Sequence, residues 1–492
     1  MNLSQAVVDF AELAIKTGAY DQLDRLYLQN LILDLIGETT LAENIKPSGQ
    51  SDSLILSDYL CTVAKKNAKF DDLRANEEIF QAKLMNFLTP TPSEVNRIFK
   101  EKYAISASSA TDYFFDLSKK NDYIKTRAIS KNEHFYAKSS YGDLEITINL
   151  SKPEKDPKQI AAEKNAVQSA YPKCLLCVEN EGYAGRLNHP TRTNHRIVRL
   201  DLVGETWGFQ YSPYAYFNEH SIILAEAHRP MKIARVTFER LLAIVDKLPT
   251  YFAGSNADLP IVGGSILSHD HYQGGRHDFP MAKAELRSQF ALPDFPNVRA
   301  GIVNWPMSVI RLTAEKSADL VAASTFILEK WQQYSDDTVA IVARTADGTQ
   351  HHTITPIARR RGADFELDLV LRDNNTSAEF PDGIFHPHAE VHHIKRENIG
   401  LIEVMGLAIL PGRLKTELEV VKNYVKGQAV KVADYHQTWA DDLKNAYQGE
   451  KIDDYIQNAL GKAFLTVLEH AGVFKDTDEG HAAFARFIAE LR

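Results

Sequence analysis

The chain has 492 residues, more than one small core can organise, so two or three domains are expected. Hydrophobic residues make up 44% and charged residues 25%, an ordinary balance for a globular protein. With 56 Lys+Arg against 65 Asp+Glu the formal charge is −9, which argues against the basic face that a nucleic-acid coat or membrane-surface protein needs. A phosphorylated small substrate stays open, because backbone N–H groups bind phosphate without net positive charge.

The N-terminal "MNLSQAVVDFAELAIK" lacks the basic segment, apolar run and small-residue cleavage site of a signal peptide. No apolar run approaches the ~18 residues of a spanning helix. The three cysteines, Cys61, Cys174 and Cys177, are too few to staple a chain this long, so a reduced, cytoplasmic protein is expected. Residues 1 to 125 read as helical: apolar groups recur at three- and four-residue spacing from Val7 to Leu35. Thr91-Pro92-Ser93-Glu94 has the pattern of a capping box, and "SSATDYFFDLSKKNDYIK" predicts another helix. "GDLEITINL" alternates Leu144, Ile146, Ile148 and Leu150, a half-buried strand. The lysine-rich "SKPEKDPKQIAAEKN" that follows reads as a solvated connection. "TFERLLAIVDKL" predicts a helix, and residues 338 to 373 predict consecutive antiparallel strands, with a turn at Asp347-Gly348 and alternation at Phe365, Leu367, Leu369 and Leu371. Beyond about residue 415 the pattern is helical again, which makes the whole α+β. "SHDHYQ" at 268 to 273 and "HPHAEVHH" at 386 to 393 form a faint internal echo.

The stretch richest in chemistry is "PIVGGSILSHDHYQGG", residues 260 to 275. In a strand His269, His271 and Gln273 share one face, about 6.6 Å apart per step, with Asp270 and Tyr272 on the other. Either both histidines hold one metal, or one is structural while the other does covalent chemistry, or both are satisfied histidines near a turn. Gly263-Gly264 and Gly274-Gly275 allow close backbone approach and free N–H groups for phosphate, and Gln273 is a neutral amide donor. Together they suggest a histidine acting on phosphorus through a phosphoramidate. Cys174-Leu-Leu-Cys177 is either two ordinary thiols, a redox pair without its usual βαβ surroundings, or half of a structural zinc site. For that site His228 and His269 are the best completing ligands. His386, His388, His392 and His393 are either a second metal site or a polar cluster at a strand end.

With these motifs in view, "YPKCLLCVENEGYAGR", "WGFQYSPYAYFNEHSIILAEAHRPM", "GGSILSHDHYQGGRHDFPM", "TITPIARRRG" and "HPHAEVHHIKRENIGLIEVMGLAILPGRL" resemble the UDP-glucose–hexose-1-phosphate uridylyltransferases of the second, longer bacterial type. These belong to the histidine-triad superfamily. The resemblance implies a duplicated histidine-triad-like antiparallel-sheet core between N-terminal and C-terminal helices. The implied divisions are a helical segment 1–125, a first half 126–290 holding the active and zinc sites, a second half 291–415, and helices 416–492. It implies transfer of UMP from UDP-glucose to galactose 1-phosphate, with His271 the uridylylated nucleophile and Gln273 holding the transferred phosphate. A structural zinc on Cys174, Cys177, His228 and His269 is implied, and a second metal at His386 and His388 is the further possibility it raises. Gly263, Gly264 and Ser265 would line the site, and Tyr211, Ser212 and Tyr214 lie where nucleoside contacts are expected. The partners implied are small molecules and a second copy of the chain, with no nucleic acid and no membrane. The alternative is a nucleoside-diphosphate-sugar hydrolase or phosphorylase of the same superfamily. Two departures stand out: Asp270 and Tyr272 replace the family's proline and glycine, and Gly406-Leu407-Ala408 replaces the Gly-Tyr-Glu that holds the sugar.

Overall fold

A computed structural model describes residues 2–151, 169–264 and 266–492. Past Ser151, the lysine-rich connection expected from the sequence lies outside the described residues, as does Ser265.

The chain opens with six helices: α1 (Leu3–Lys16), α2 (Arg25–Ile36), α3 (Ser53–Lys66), α4 (Arg74–Asn86), α5 (Pro92–Tyr103) and α6 (Ala107–Lys120). Their starts are set by side chains that accept otherwise unpaired N–H groups: Asn2 from Gln5, Asp52 from Leu54 and Ile55, and Ser106 from Ser109. At α5 Pro92 takes the first helical position as expected, but the capping box does not form. Glu94 instead pairs with Arg97 one turn on, at 2.5 Å, and Thr91 turns its hydroxyl to Ser93. Helices α1 to α4 bury their own core around Phe10, Ile32, Leu60 and Leu84. By contrast, α5 and α6 send Val95, Phe99, Phe114 and Leu117 into the core of the main sheet, so the helical segment is divided between two cores.

A hairpin of β1 (Glu133–Ser139) and β2 (Gly142–Asn149) follows. Then come β3 (Val198–Leu202), β4 (Glu205–Tyr211), β5 (Ser221–Ala225), helix α7 (Arg235–Lys247), β6 (Phe252–Gly254) and β7 (His271–Gly275). The same sequence of elements recurs as β8 (Leu286–Phe290), β9 (Arg299–Val303), β10 (Val309–Ala314), helix α8 (Ser317–Trp331), β11 (His352–Arg361) and β12 (Asp364–Asp373). These ten strands form one sheet in the order β3-β4-β5-β7-β6-β11-β12-β10-β9-β8. The order is palindromic: each half is an antiparallel three-strand meander, a helix, and two strands of which the last inserts beside the meander. β6 and β11 pair at the centre, Ala253 opposite Ala358. That is the topology of a duplicated unit, and it corrects two expectations. The second repeat starts at β8, so a boundary at 290 would cut one strand from its repeat, and β1–β2 belong to neither repeat. The histidine echo is not the mark of the duplication. The strand equivalent to β7 is β12, where the face matching that of His271 and Gln273 carries Glu366 and Asp368, while Leu367 shares the core face with Tyr272 and residues 386 to 393 lie beyond the strand.

A thirteenth strand, β13 (Leu407–Pro411), lies parallel to β2 and completes a separate three-stranded sheet. Helices α9 (Leu414–Val425), α10 (Gln437–Ala446) and α11 (Ile452–Ala471) pack in the core of this small sheet. A Cβ at Gly461 would lie 2.1 Å from Ala137 Cβ, so α11 needs glycine there to rest on β1. The last helix, α12 (Asp478–Ala489), returns Phe484 and Phe487 to the main core.

The β11–β12 hairpin turns at Gly362, whereas Asp347-Gly348 makes a tight turn outside the strands, closed by the Gly348 N–H donating to the Thr345 carbonyl at 2.8 Å and flanked by an isolated bridge, Arg344 to Gln350. On β12 the alternation of Phe365, Leu367, Leu369 and Leu371 faces the core as read, but the opposite face is buried too. There Asp368 accepts from Arg311 Nε at 2.7 Å and Arg359 Nη2 at 2.7 Å, and Glu366 accepts from Arg359 Nη1 at 2.6 Å. Burial alone would raise the Asp368 carboxyl, but the two guanidiniums hold it below its ordinary value. Asp368→Ala leaves two buried guanidiniums with only the Glu366 carboxylate between them and is expected to cost about 3–5 kcal/mol, read as a lowered urea midpoint.

Candidate active site and metal centre

Strand β7 lies between β5 and β6, with His271 opposite Leu224 and Gln273 opposite Ile222 and Gly254. The two-residue period puts His271 and Gln273 on one face and Tyr272 on the other. Tyr272 stacks on Trp207 in the core, 4.9 Å between centroids with the rings 11° apart. Asp270, just ahead of the strand, meets Arg229 at 3.3 Å and Arg240 at 3.5 Å, and Glu205 accepts from both arginines at 2.7 Å. Arg240 in turn sits over the Trp207 ring at 4.9 Å. The two departures from the family motif therefore serve the reverse side of the sheet, one in an ion-pair network and the other in an aromatic stack.

The His271 imidazole is buried, and its Nδ1–H donates to the His269 carbonyl at 2.7 Å. That bond fixes the tautomer and leaves Nε2 with its lone pair. Burial pulls the ring down to about 4, so it is neutral near pH 7. Gln273 is half-buried, and its Oε1 accepts from His220 Nε2 at 2.9 Å. His220 was not expected from the sequence. It stands one residue before β5, in a polar "NEH" that reads as loop, and its partner is 53 residues away.

His269 lies outside the strand, and its ring joins a cluster drawn from three segments. Its Nδ1 is 3.2 Å from Cys174 Sγ and 3.8 Å from Cys177 Sγ; His228 Nδ1 is 3.2 Å from Cys177 Sγ, and the sulfurs are 3.5 Å apart. All four donor atoms lie within 4.8 Å of one another, which makes the group a candidate metal site. The donor set fits a tetrahedral ion, whose bond lengths of 2.0–2.3 Å imply donor separations of roughly 3.3–3.8 Å. Surrounding bonds suit ligation as well. His269 Nε2–H donates to the Ala225 carbonyl at 2.8 Å, freeing Nδ1, and the Leu176 N–H points to Cys174 Sγ at 3.4 Å. Burial raises the Cys174 thiol, but contact with His269 and the Leu176 N–H outweighs it and brings it below its ordinary value.

The remaining expected residues divide. A Cβ on Gly264 would lie 2.5 Å from Asn256 Nδ2, and one on Gly263 would lie 2.6 Å from the Ala257 carbonyl. The chain's own turn at 256–259 therefore already demands both glycines. Tyr211 is wholly buried, its hydroxyl 2.8 Å from that of Tyr251 and 3.1 Å from the Thr111 carbonyl, so it is a core residue and not a nucleoside contact. Ser212 and Tyr214 lie half-buried in the β4–β5 connection. His386 and His388 do not come together as ligands. His388 groups with Glu390 and His470, while His386 Nδ1 donates to the Pro387 carbonyl. Both nitrogens of His470 and Nε2 of His388 already have partners, which fits a metal poorly.

Two repeats of a meander, a helix and two further strands in one sheet, with the His271–Gln273 face in the first, define a duplicated α+β protein. The family description "Galactose-1-phosphate uridyl transferase, N-terminal domain" matches residues 18–230, and its C-terminal domain matches residues 244–441. A galactose-1-phosphate uridylyltransferase of Streptococcus pneumoniae (strain Hungary19A-6) is 57% identical over 98% of both chains, and one of Lactococcus lactis subsp. cremoris (strain SK11) is 54% identical over 99% of both. Among solved structures, yeast Ap4A phosphorylase Apa2 aligns with 73% of this chain and 98% of its own, at 14% identity and a TM-score of 0.35. The chain belongs to the galactose-1-phosphate uridylyltransferase family and is a nucleotidyltransferase. Among the described residues no helix is long and apolar enough to cross a membrane.

Proposed function

We propose that this chain moves UMP from UDP-glucose to galactose 1-phosphate in two displacements on His271. The Nε2 lone pair forms a bond to the α-phosphorus while the bond to glucose 1-phosphate breaks, its electron pair leaving on that oxygen. The uridylyl-imidazole carries the new positive charge, which the Nδ1–H bond to the His269 carbonyl disperses. A phosphate oxygen of galactose 1-phosphate then attacks phosphorus, and the P–N electron pair returns to Nε2. One phosphoanhydride replaces another, so no proton acceptor or energy source is needed. The observation that carries this reading is the buried, neutral His271 with Nδ1 committed and Nε2 free, on the same strand face as Gln273. Gln273 would donate to a non-bridging oxygen of the transferred phosphate. Zinc, when bound to Cys174, Cys177, His228 and His269, would serve structure, since four protein ligands leave no open position.

Incubation with UDP-glucose labelled in the uridylyl group, without acceptor, is expected to leave protein-bound label stable to base and lost in acid. Galactose 1-phosphate should discharge that label as UDP-galactose. Steady release of free UMP with no bound label would support a hydrolase instead and sink the transferase reading.

A further inference from the structure

His220 is buried and packed by its ring against Phe217 at 4.3 Å between centroids. Its Nδ1 accepts from the Tyr216 N–H at 3.5 Å, so the ring proton is on Nε2, which donates to Gln273 Oε1 at 2.9 Å. The amide oxygen of Gln273 is thereby occupied. What Gln273 has left to offer is its NH2 group, two donors and no acceptor. Without this bond, a half-turn of the terminal torsion would present oxygen as readily as nitrogen, and oxygen facing a phosphate oxygen repels.

The placement of His220 is itself over-determined. Glu219 is held at φ +55, a left-handed conformation that non-glycine residues rarely adopt. Its buried carboxylate accepts from the Tyr251 hydroxyl and pairs with Arg276 at 3.3 Å. Arg276, two residues past the Gly274 position of β7, is fixed by Asp112 of α6 at 2.9 Å. The turn that aims His220 at Gln273 is thus clamped by the far end of the same strand and by the N-terminal helices.

We propose that His220 is the positioning residue that holds the Gln273 amide with its N–H groups toward the transferred phosphate. This rests on the uridylyl-transfer reading above. Burial pulls His220 down to about 4, which agrees with a neutral ring making one donor bond.

The test uses UDP-glucose with sulfur replacing one or the other non-bridging oxygen of the α-phosphate, as separate diastereomers. In the unmodified protein the diastereomer with sulfur facing Gln273 should uridylylate the protein more slowly. His220→Phe keeps a stacked ring but deletes the donor. It is expected to lower the uridylylation rate with the all-oxygen substrate by about 10- to 100-fold with little change in KM, and to bring the diastereomer ratio toward one. His220→Gln, whose amide can donate to Gln273 Oε1, should recover part of both. A thermal melt shows whether each variant is folded; if His220→Phe is not, His220→Met is read in the same way. A rate loss with an unchanged diastereomer ratio would mean a merely structural role and overturn the proposal, as would an unchanged rate. If the unmodified protein forms no bound uridylyl group at all, the transfer reading and this proposal fall together. If bound label forms normally and only the ratio fails to move, the role of His220 falls alone.

Discussion

His271→Ala is expected to lower uridylyl transfer by roughly 10⁴- to 10⁶-fold, the usual scale for removing a nucleophile that acts with its whole site. The large effect follows from the route. Without Nε2 the only path is direct attack by one sugar phosphate on the other's diphosphate, and both anions would then have to occupy a site built to hold them in turn. Binding should suffer far less, because Gln273 and its His220 bond are untouched. UDP-glucose affinity by calorimetry is expected to stay within a few-fold of the unmodified protein. Stability should change modestly as well: one hydrogen bond to the His269 carbonyl is lost, about 1 kcal/mol, with a small cavity beside it. Residual turnover of more than about one part in a hundred, with no bound label, would sink the covalent assignment. A stereochemical check is independent of the mutation. Two in-line displacements retain configuration at phosphorus, so a product with inverted configuration would point to direct transfer.

The parts of this site that were legible in the sequence are the local ones. The split between the faces of β7 follows from period two over five residues, and the His271 tautomer follows from a carbonyl two residues back. Cys174 and Cys177 sit within one turn of chain, and His228 and His269 each flank a strand, so their convergence needed only antiparallel pairing of β5 with β7. Tyr211 was misassigned although the sequence held the correction. Trp207, Phe209 and Tyr211 alternate on β4, and all three are wholly buried. His220 was not legible, because its meaning depends on a partner brought alongside by strand pairing. The duplication was implied by the family resemblance, and the faint histidine echo does not mark it. It shows in strand order, because β12 takes the place of β7 in the second repeat while the face that carries His271 and Gln273 in the first carries Glu366 and Asp368 in the second. The charged face of β12 was hidden for a related reason. The role of Glu366 and Asp368 depends on Arg311 and Arg359, which β10 and β11 bring alongside them.

Cys174→Ser should lower metal content and stability together. The proposed zinc joins three separate segments: the Cys174–Cys177 turn, His228 after β5, and His269 before β7. Binding energy at such a site is folding energy for the segments it ties, of order 10 kcal/mol for small zinc modules. In a protein with large cores of its own, only the part that secures the turn against the sheet is lost. A fall of several degrees in the unfolding temperature is expected, since each kcal/mol is about 2–4 °C in a domain of a few hundred residues. Metal content by mass spectrometry should drop from near one equivalent to a small fraction. Activity should fall with it, through position and not through chemistry: the carbonyl that holds His271 Nδ1 belongs to a ligand, His269. Loosening that residue should lower kcat more than it raises KM. Cys61→Ser is the control, because Cys61 lies in the separate core of α1 to α4 and should leave metal content unchanged. If the unmodified protein carries no zinc, the metal claim is wrong. The role of His271 would stand, because its tautomer is set by a backbone carbonyl whether or not an ion is present.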